Sequence, residues 1–213
     1  MTDLMESAMA ILRLSSSRLA QVSQNVGNVS TPGYKRGVAY RALQAALDAD
    51  GVASTWHDRT QGKLQATGAP LDLAIEGEGA FELRDGEQMV AARSGQFHRL
   101  DDGRLADGRG RIVQDLGGGD VVLPRGTVTI LPDGTILDGQ RPVARIALRS
   151  DSGGEAEGAM LRQGMVEASN VALGDEMLAM MTAMREAEGG ARLVQVYDEL
   201  MGRALTTLGQ GGR

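Results

Sequence analysis

The sequence predicts an α+β protein: N- and C-terminal helices forming a coiled-coil-like domain, with a central antiparallel β-rich domain, a small barrel or sandwich. Three observations predict it. Met5, Ala8, Leu12, Ser15, Leu19, Val22 and Val26 recur at three-then-four spacing, with one serine in an otherwise apolar seam. Leu173, Met177, Met180, Met184, Ala187, Ala191 and Val194 recur in the same way near the other end, and Tyr197, Met201, Ala204 and Leu208 resume the pattern. From Leu71 to Ser150 the period changes to two, and five Asp-Gly pairs punctuate this stretch. Narrow seams suit helix-on-helix packing. Asp-Gly supplies the positive φ angles of tight hairpin turns.

The first helix is expected over residues 3–27, roughly 37 Å long at 1.5 Å per residue. Its stop lies in the run from Asn25 to Lys35. Gly27 and Asn28 tolerate the left-handed conformation that closes helices, and Pro32-Gly33 is a turn dipeptide. Residues 36–66 are mixed: Tyr40 to Leu47 reads as a short helix, and Asp48 to Gly62 is polar with turn residues. Leu71, Leu73 and Ile75 then alternate with Asp72, Ala74 and Glu76, as in a half-buried strand. Further short strands are expected near 80–83, 89–93, 111–114, 121–123, 127–130 and 142–148. Gly117-Gly118-Gly119 marks a loop, and Ser152-Gly153-Gly154 with Gly158 marks the exit. The last helix is expected from about Val171 to Leu208, capped by Ser169 or Asn170, with Asp175 and Glu176 suiting its dipole. Gly189, Gly190 and Gly202 lie inside it. The Gly pair either kinks the helix or admits a close neighbour. The domains read as 1–35 with 165–213 (terminal helical domain), 36–70 (extended connection), 71–150 (β-rich outer domain) and 151–164 (linker).

A chain of 213 residues holds one ordinary domain or two small ones. Aromatic residues are only 3% and glycines number 30, so large core side chains are scarce and contacts between subunits are expected to add stability. A net charge of −6 argues against general nucleic-acid binding. The absence of cysteine excludes a disulfide framework and a thiolate metal site. Asp3 and Glu6 precede the first basic residue, Arg13, the reverse of a secretory signal. The longest apolar stretch, Met177 to Met184, is too short for a membrane span of about 20 residues. Composition by itself reads as soluble and cytoplasmic.

No residue set reads as catalytic, cofactor-binding or metal-binding. His57 and His98 lack the spacing of a helical zinc pair. Asp72, Glu76 and Glu78 resemble the carboxylates of a hydrolase, but alternation puts Asp72 and Glu76 on the polar face of a strand. Gly77-x-Gly79 lacks the third glycine and the helix of a nucleotide loop. Asp101, Asp102, Asp107 and Asp120 suggest calcium, yet Asp-Gly hairpins account for most of them. Asn28-Val29-Ser30 matches a glycosylation sequon too common to count. The crowd of Met177, Met180, Met181 and Met184 reads as helix core, or as an adaptable interface, because methionine fits irregular gaps.

Three blocks carry a family resemblance. Asn25, Asn28, Thr31, Gly33, Tyr34 and Lys35 match an "N-x-A-N-x-x-T-x-G-[YF]-K" signature, with Gly27 in place of the usual Ala. The run from Thr67 to Phe81 matches "TG-x-x-LD-x-AI-x-G-x-GFF", with Ala80 replacing the first Phe. Glu167, Ser169, Asn170 and Val171, followed by Glu176-Met177, match "E-x-SNV…EM". After Arg185 the family's aromatic and Asn are missing. In order, these blocks resemble the flagellar rod and hook axial proteins. The resemblance implies a structural, non-enzymatic subunit of the bacterial flagellar basal-body rod. Its terminal helices would form an inner tube that transmits torque and encloses the export channel. It implies other rod subunits and the flagellar type III export apparatus as partners, with no nucleic acid, no membrane span and no cofactor. It also implies a periplasmic rod location reached by export without a cleaved signal peptide. The short chain favours a proximal rod component over a distal rod or hook-type subunit. A rod-associated cell-wall hydrolase is the alternative outside the family. The expected assembly residues are Met5, Ala8, Leu12, Leu19, Val22, Asn25, Val26, Asn28, Thr31, Gly33 and Tyr34, with Met177, Met180, Met184, Val194 and Met201.

Overall fold

The computed structural model describes residues 2–40, 54–150 and 153–210. The chain has a helix at each end and a β-rich middle. It divides into two compact units: residues 1–27, 37–58 and 171–213 form one, and residues 28–36 and 59–170 form the other.

The helical unit holds α1 (Thr2–Gly27), α2 (Leu173–Gln210) and a two-stranded antiparallel ribbon of β1 (Gly37–Tyr40) and β2 (Ser54–His57). The short helix expected over Tyr40 to Leu47 lies outside the described residues, except that Tyr40 ends β1. α1 and α2 run in opposite directions, because Arg18 meets Glu186 at 2.6 Å, Asn25 meets Glu176 at 3.0 Å and Leu12 lies beside Gly190. On α1 the predicted seam is the covered side: Ala8, Ser15 and Val22 are buried, and Met5, Leu12, Leu19 and Val26 are half-buried. Ser15, the polar interruption, donates its hydroxyl to the Ile11 carbonyl at 2.8 Å, the back-bond that lets a buried serine sit in a helix.

On α2 the covered side is displaced from the predicted seam. Glu176, Ala183 and Gly190 are buried, with Met180, Ala187, Val194 and Tyr197 half-buried between and beyond them. Leu173, Met177, Met184 and Ala191 of the predicted seam are exposed. The displacement follows from size. α2 turns its small residues towards a neighbouring helix, and the larger methionines stay outside. The helix continues unbroken through Gly189-Gly190. A Cβ added at Gly190 would stand 3.1 Å from Leu12 Cγ and 3.2 Å from Ile11 Cγ2, whereas one at Gly189 would meet nothing within 4 Å. The pair is therefore a point of close approach, not a kink.

The β-rich unit contains β3 (Leu64–Ala66), β4 (Leu73–Glu76), β5 (Ala80–Asp85), β6 (Gln88–Ala92), β7 (Phe97–Arg99), β8 (Leu105–Asp107), β9 (Ile112–Val113), β10 (Thr129–Ile130), β11 (Thr135–Asp138), β12 (Arg141–Arg145), β13 (Leu148–Arg149), β14 (Met160–Gln163) and β15 (Met165–Glu167). One sheet runs β13-β5-β9-β8-β7, with β6 on the other edge of β5. A second runs β10-β11-β12, and β14 pairs with β4 and β15 with β3, all antiparallel. None closes on itself, so the barrel half of the barrel-or-sandwich expectation is not realised. The strands are short and fall into separate sheets, and β11 with β12 shifts register at Ile136/Leu137, so the continuous staggered ladder that closure needs is not formed. The expected strand at 121–123 is reduced to single bridges, Arg104 with Val122 and Gln114 with Asp120.

The sheets share one core. Leu73, Ile75, Phe81, Leu83, Leu105, Val113, Ile136 and Leu161 are fully buried. Both phenylalanines of the chain meet here, Phe81 against Phe97 edge to face at 5.0 Å between ring centres. Strand β4 departs from the expected alternation, because Ala74 is as buried as Leu73 and Ile75. Among the described residues no helix is long and apolar enough to cross a membrane.

Candidate assembly site

The signature residues form two separate clasps, one in each unit. In the helical unit the clasp is centred on Asn25. Its carboxamide mimics a strand: Nδ2 donates to the Gly37 carbonyl at 2.8 Å, and Oδ1 accepts the Gly37 N–H at 2.9 Å. Nδ2 also donates to Glu176 Oε2 at 3.0 Å, and Gln21 Nε2 approaches Asn25 Oδ1 at 3.4 Å. One amide thus holds the last turn of α1, the start of β1 and the first turn of α2. Glu176 is 0% exposed, so its carboxylate depends on protein partners in place of water. Gly37 lies close under Gln21: a Cβ there would fall 2.1 Å from Nε2 at the tip of that flexible side chain, which would have to move away.

In the β-rich unit the clasp is centred on Glu167. Its Oε1 accepts from Lys35 Nζ at 2.6 Å and from the Gly62 N–H at 2.8 Å. Arg93 Nε lies 3.6 Å from Oε2, and Arg93 Nη2 donates to the Gly77 carbonyl at 2.7 Å. Two cations thus flank one buried carboxylate. Backbone bonds run beside them: the Gly33 N–H donates to the Glu167 carbonyl at 2.7 Å, and the Asn170 N–H donates to the Tyr34 carbonyl at 3.4 Å. Asn170 Oδ1 accepts the Arg36 N–H at 2.7 Å, while its Nδ2 donates to Thr60. Asn170 was expected as a possible cap of α2. Its side chain is used instead to tie this loop. Gly33 has φ +70°, and a Cβ would fall 2.3 Å from the Ser94 nitrogen, so only glycine fits.

The end of α1 also differs from expectation. Neither Gly27 nor Asn28 takes a left-handed conformation. The chain leaves through a turn in which Thr31 N–H donates to the Asn28 carbonyl at 3.1 Å and Thr31 Oγ1 donates to Asn28 Oδ1 at 3.1 Å. In the middle block, Thr67 Oγ1 donates to Asp72 Oδ2 at 2.6 Å across a tight loop.

Of the carboxylates weighed for chemistry, Asp72, Glu76, Asp102, Asp107 and Asp120 have structural partners. Glu76 pairs with Arg162 at 2.7 Å, and Asp107 and Asp102 accept N–H groups of their own turns while pairing with Arg111 and Arg104. Asp120 accepts both Arg84 nitrogens, at 3.0 and 2.6 Å, and Gln114 Nε2 at 2.9 Å. The Arg84 and Gln114 hydrogen bonds pull its pKa down from 3.8 to about 2. His57 on β2 and His98 on β7 are both exposed. Among the described residues no group of three or more His, Cys, Asp or Glu is placed to hold a metal ion.

The structure thus sorts the expected site residues. Asn25 joins the first clasp, and Gly33 and Tyr34 join the second through their backbones. Asn28 and Thr31 bond to each other. Met5, Ala8, Leu12, Leu19, Val22 and Val26 line the covered side of α1, and Met180 and Val194 the covered side of α2. Met177 and Met184 are 57% and 51% exposed, and Met201 is exposed too. Leu178, Met181, Leu193, Val196 and Leu200 join them on the open surface of α2, and Met9 and Ile11 are open on α1. Trp56 on β2, the chain's one tryptophan, is 58% exposed. Sequence reasoning did not single out Trp56, Gly37 or Arg93. The single Trp was visible in composition, but nothing in the spacing marked Arg93.

Comparison with known proteins agrees on one family. Residues 162–207 match the family described as flagellar basal body rod FlgEFG protein C-terminal. The chain is 32% identical to the flagellar basal-body rod protein FlgF of Caulobacter vibrioides, over 89% of this chain and 91% of that one. It is 27% identical to a protein of the same name from Mesorhizobium japonicum, over 90% and 92%. It is 25% identical to the flagellar basal-body rod protein FlgG of Bacillus subtilis, over 86% and 90%.

Proposed function

The chain belongs to the flagellar basal-body rod protein family, and we propose that it is a structural subunit of the bacterial flagellar rod that assembles helically through its terminal helices. The end-to-end similarity to rod proteins carries this reading. The open apolar surface of α2 supports it, because exposed patches of this kind mark protein interfaces. Met177, Met181 and Met184 would pack on neighbouring subunits, while the α1 seam is used within the chain. Contacts of one face on a different face propagate as a helix instead of closing, which suits a tube that transmits torque and encloses the export channel. The α1–α2 pair would form the coiled-coil-like inner domain, and residues 71–150 the outer one.

The finer reading is a proximal, FlgF-type subunit in the periplasmic rod, delivered by the type III export apparatus without a cleaved signal. Two of the three relatives named above are FlgF proteins, which supports it. A hook-type role is less favoured, because the relatives matched over nearly their whole length are rod proteins. The role needs no chemistry. The test is isolation of basal bodies from the native bacterium carrying an epitope-tagged copy. The tag is expected on the rod, below the hook, and a strain lacking the gene is expected to be non-motile. Normal rods and swimming in that strain would overturn the proposal, as would cell-wall lysis by the purified protein.

A further inference from the structure

Helix α2 offers α1 more than one apolar surface. The covered side is small at its centre, with Ala183, Ala187 and Gly190, and Met180 and Val194 are half-buried beside them. The open side carries Met177, Met181 and Met184. The three-and-four repeat also permits slippage, since a slide of seven residues, about 10.5 Å, leaves an apolar seam apolar. Packing alone therefore distinguishes poorly between the native pairing, a slipped one, and pairing with a helix of another chain.

Buried polarity makes the distinction. Glu176 is fully buried, and Asn25 is 1% exposed and offers it an amide at 3.0 Å while already paired with both backbone groups of Gly37. A slide of one heptad would set Asn25 against Ala183 and take the amide away from Glu176. Packing α1 on the methionine side would do the same. We infer that the Asn25–Glu176 pair is the register lock of the terminal helices, selecting the native antiparallel register over slipped ones. Its value lies in the penalty it places on slipped arrangements, where the buried Glu176 carboxylate gives up the Asn25 amide. Further along α2, Gly190 adds a steric preference, since a Cβ there would stand 3.1–3.2 Å from Leu12 and Ile11 and force these side chains to give.

The chain has no cysteine, so introduced pairs report cleanly. Arg18→Cys with Glu186→Cys reads the native register, and Arg18→Cys with Ala179→Cys or Leu193→Cys reads a slide of one heptad either way. Each pair is treated with a short bis-maleimide in the full-length protein. With Asn25 and Glu176 intact, the native pair is expected to link within one chain in preference to either slipped pair by at least about tenfold, the scale of a buried polar group left without partners. With Asn25→Leu and Glu176→Leu together, that ratio is expected to fall towards one. A Glu176→Gln variant, which keeps an oxygen facing Asn25, is expected to retain the native ratio. If the leucine pair does not fold by circular dichroism, Glu176→Ala carries the test in the same backgrounds. A native ratio unchanged in the leucine pair, or in Glu176→Ala where that variant carries the test, would overturn the lock.

Discussion

In the β-rich unit the fully buried residues include Leu73, Ile75, Phe81, Leu83, Leu105 and Ile136. Among the described residues of the helical unit they include Ala8, Ser15, Asn25, Glu176 and Ala183. One unit spends its large apolar side chains inside. The other buries small and polar residues and leaves methionine and leucine in water. Burying a large apolar side chain contributes about 1.5–3 kcal/mol, so the first unit has the means to stand alone. The second has its largest potential gain still outside it. The difference separates a unit whose large apolar side chains are covered within the chain from one that leaves Met177, Met181 and Met184 in water, as the proposed role needs.

Substitutions can break or sharpen this contrast. The largest effect is expected at Phe81→Ala, which removes a buried ring and its partner at Phe97. A loss of about 3–5 kcal/mol is expected in urea unfolding of the monomer, and a loss below about 1 kcal/mol would mean that the β-rich core is not the main store of stability. Glu167→Ala comes next. It leaves Lys35 and Arg93, whose side chains are only 14% and 11% exposed, without their shared counter-charge. Breaking such a buried pair costs about 3–5 kcal/mol at its upper range, and thermal unfolding measures it. The glycine pair should then split in sign. Gly190→Val overpacks against Leu12 and is expected to cost about 1–3 kcal/mol. Gly189→Ala meets nothing and is expected to gain up to about 1 kcal/mol from helix propensity. Circular dichroism of both variants at one temperature series decides this, and equal signs would refute the close approach at Gly190.

The smallest effect is a pH dependence. Asp120 is held near pKa 2 from an ordinary 3.8, by Arg84 first and Gln114 second. A depressed carboxylate stabilises the fold fully above its unfolded pKa. That contribution fades as pH falls from about 4 to about 2, where the folded-state group takes up its proton. Asp120→Asn should flatten this part of the profile of urea midpoints, and an unchanged profile would contradict the assignment.

How legible was all this beforehand? The α1 seam could be read directly, because its covered positions are also its periodic apolar ones. The α2 seam could not, because periodicity favours large apolar residues and the covered side there is Glu176, Ala183 and Gly190. A search for small residues at heptad spacing would have found it. The β-rich middle followed from the Asp-Gly turns, and glycine takes positive φ at four of the five, with the Asp107-Gly108 turn shifting that role to Gly110. Strands β3, β14 and β15, at three or four residues each, were too short for a period to register. The clasp partners Asn25, Lys35, Glu167 and Asn170 were marked by resemblance. Their pairing was not, since nothing local says that residue 35 meets residue 167.

The central claim is that α2 keeps its methionines outside for neighbouring subunits. Replacing Met177 and Met184 together with Glu in the native bacterium tests it most directly, with purified monomer and isolated basal bodies examined side by side. Exposed positions away from packed contacts change stability by about 0.5 kcal/mol or less. The monomer is therefore expected to unfold at an unchanged urea midpoint, while the protein disappears from the rod and swimming is lost. Normal incorporation and swimming with both charges in place would contradict the account.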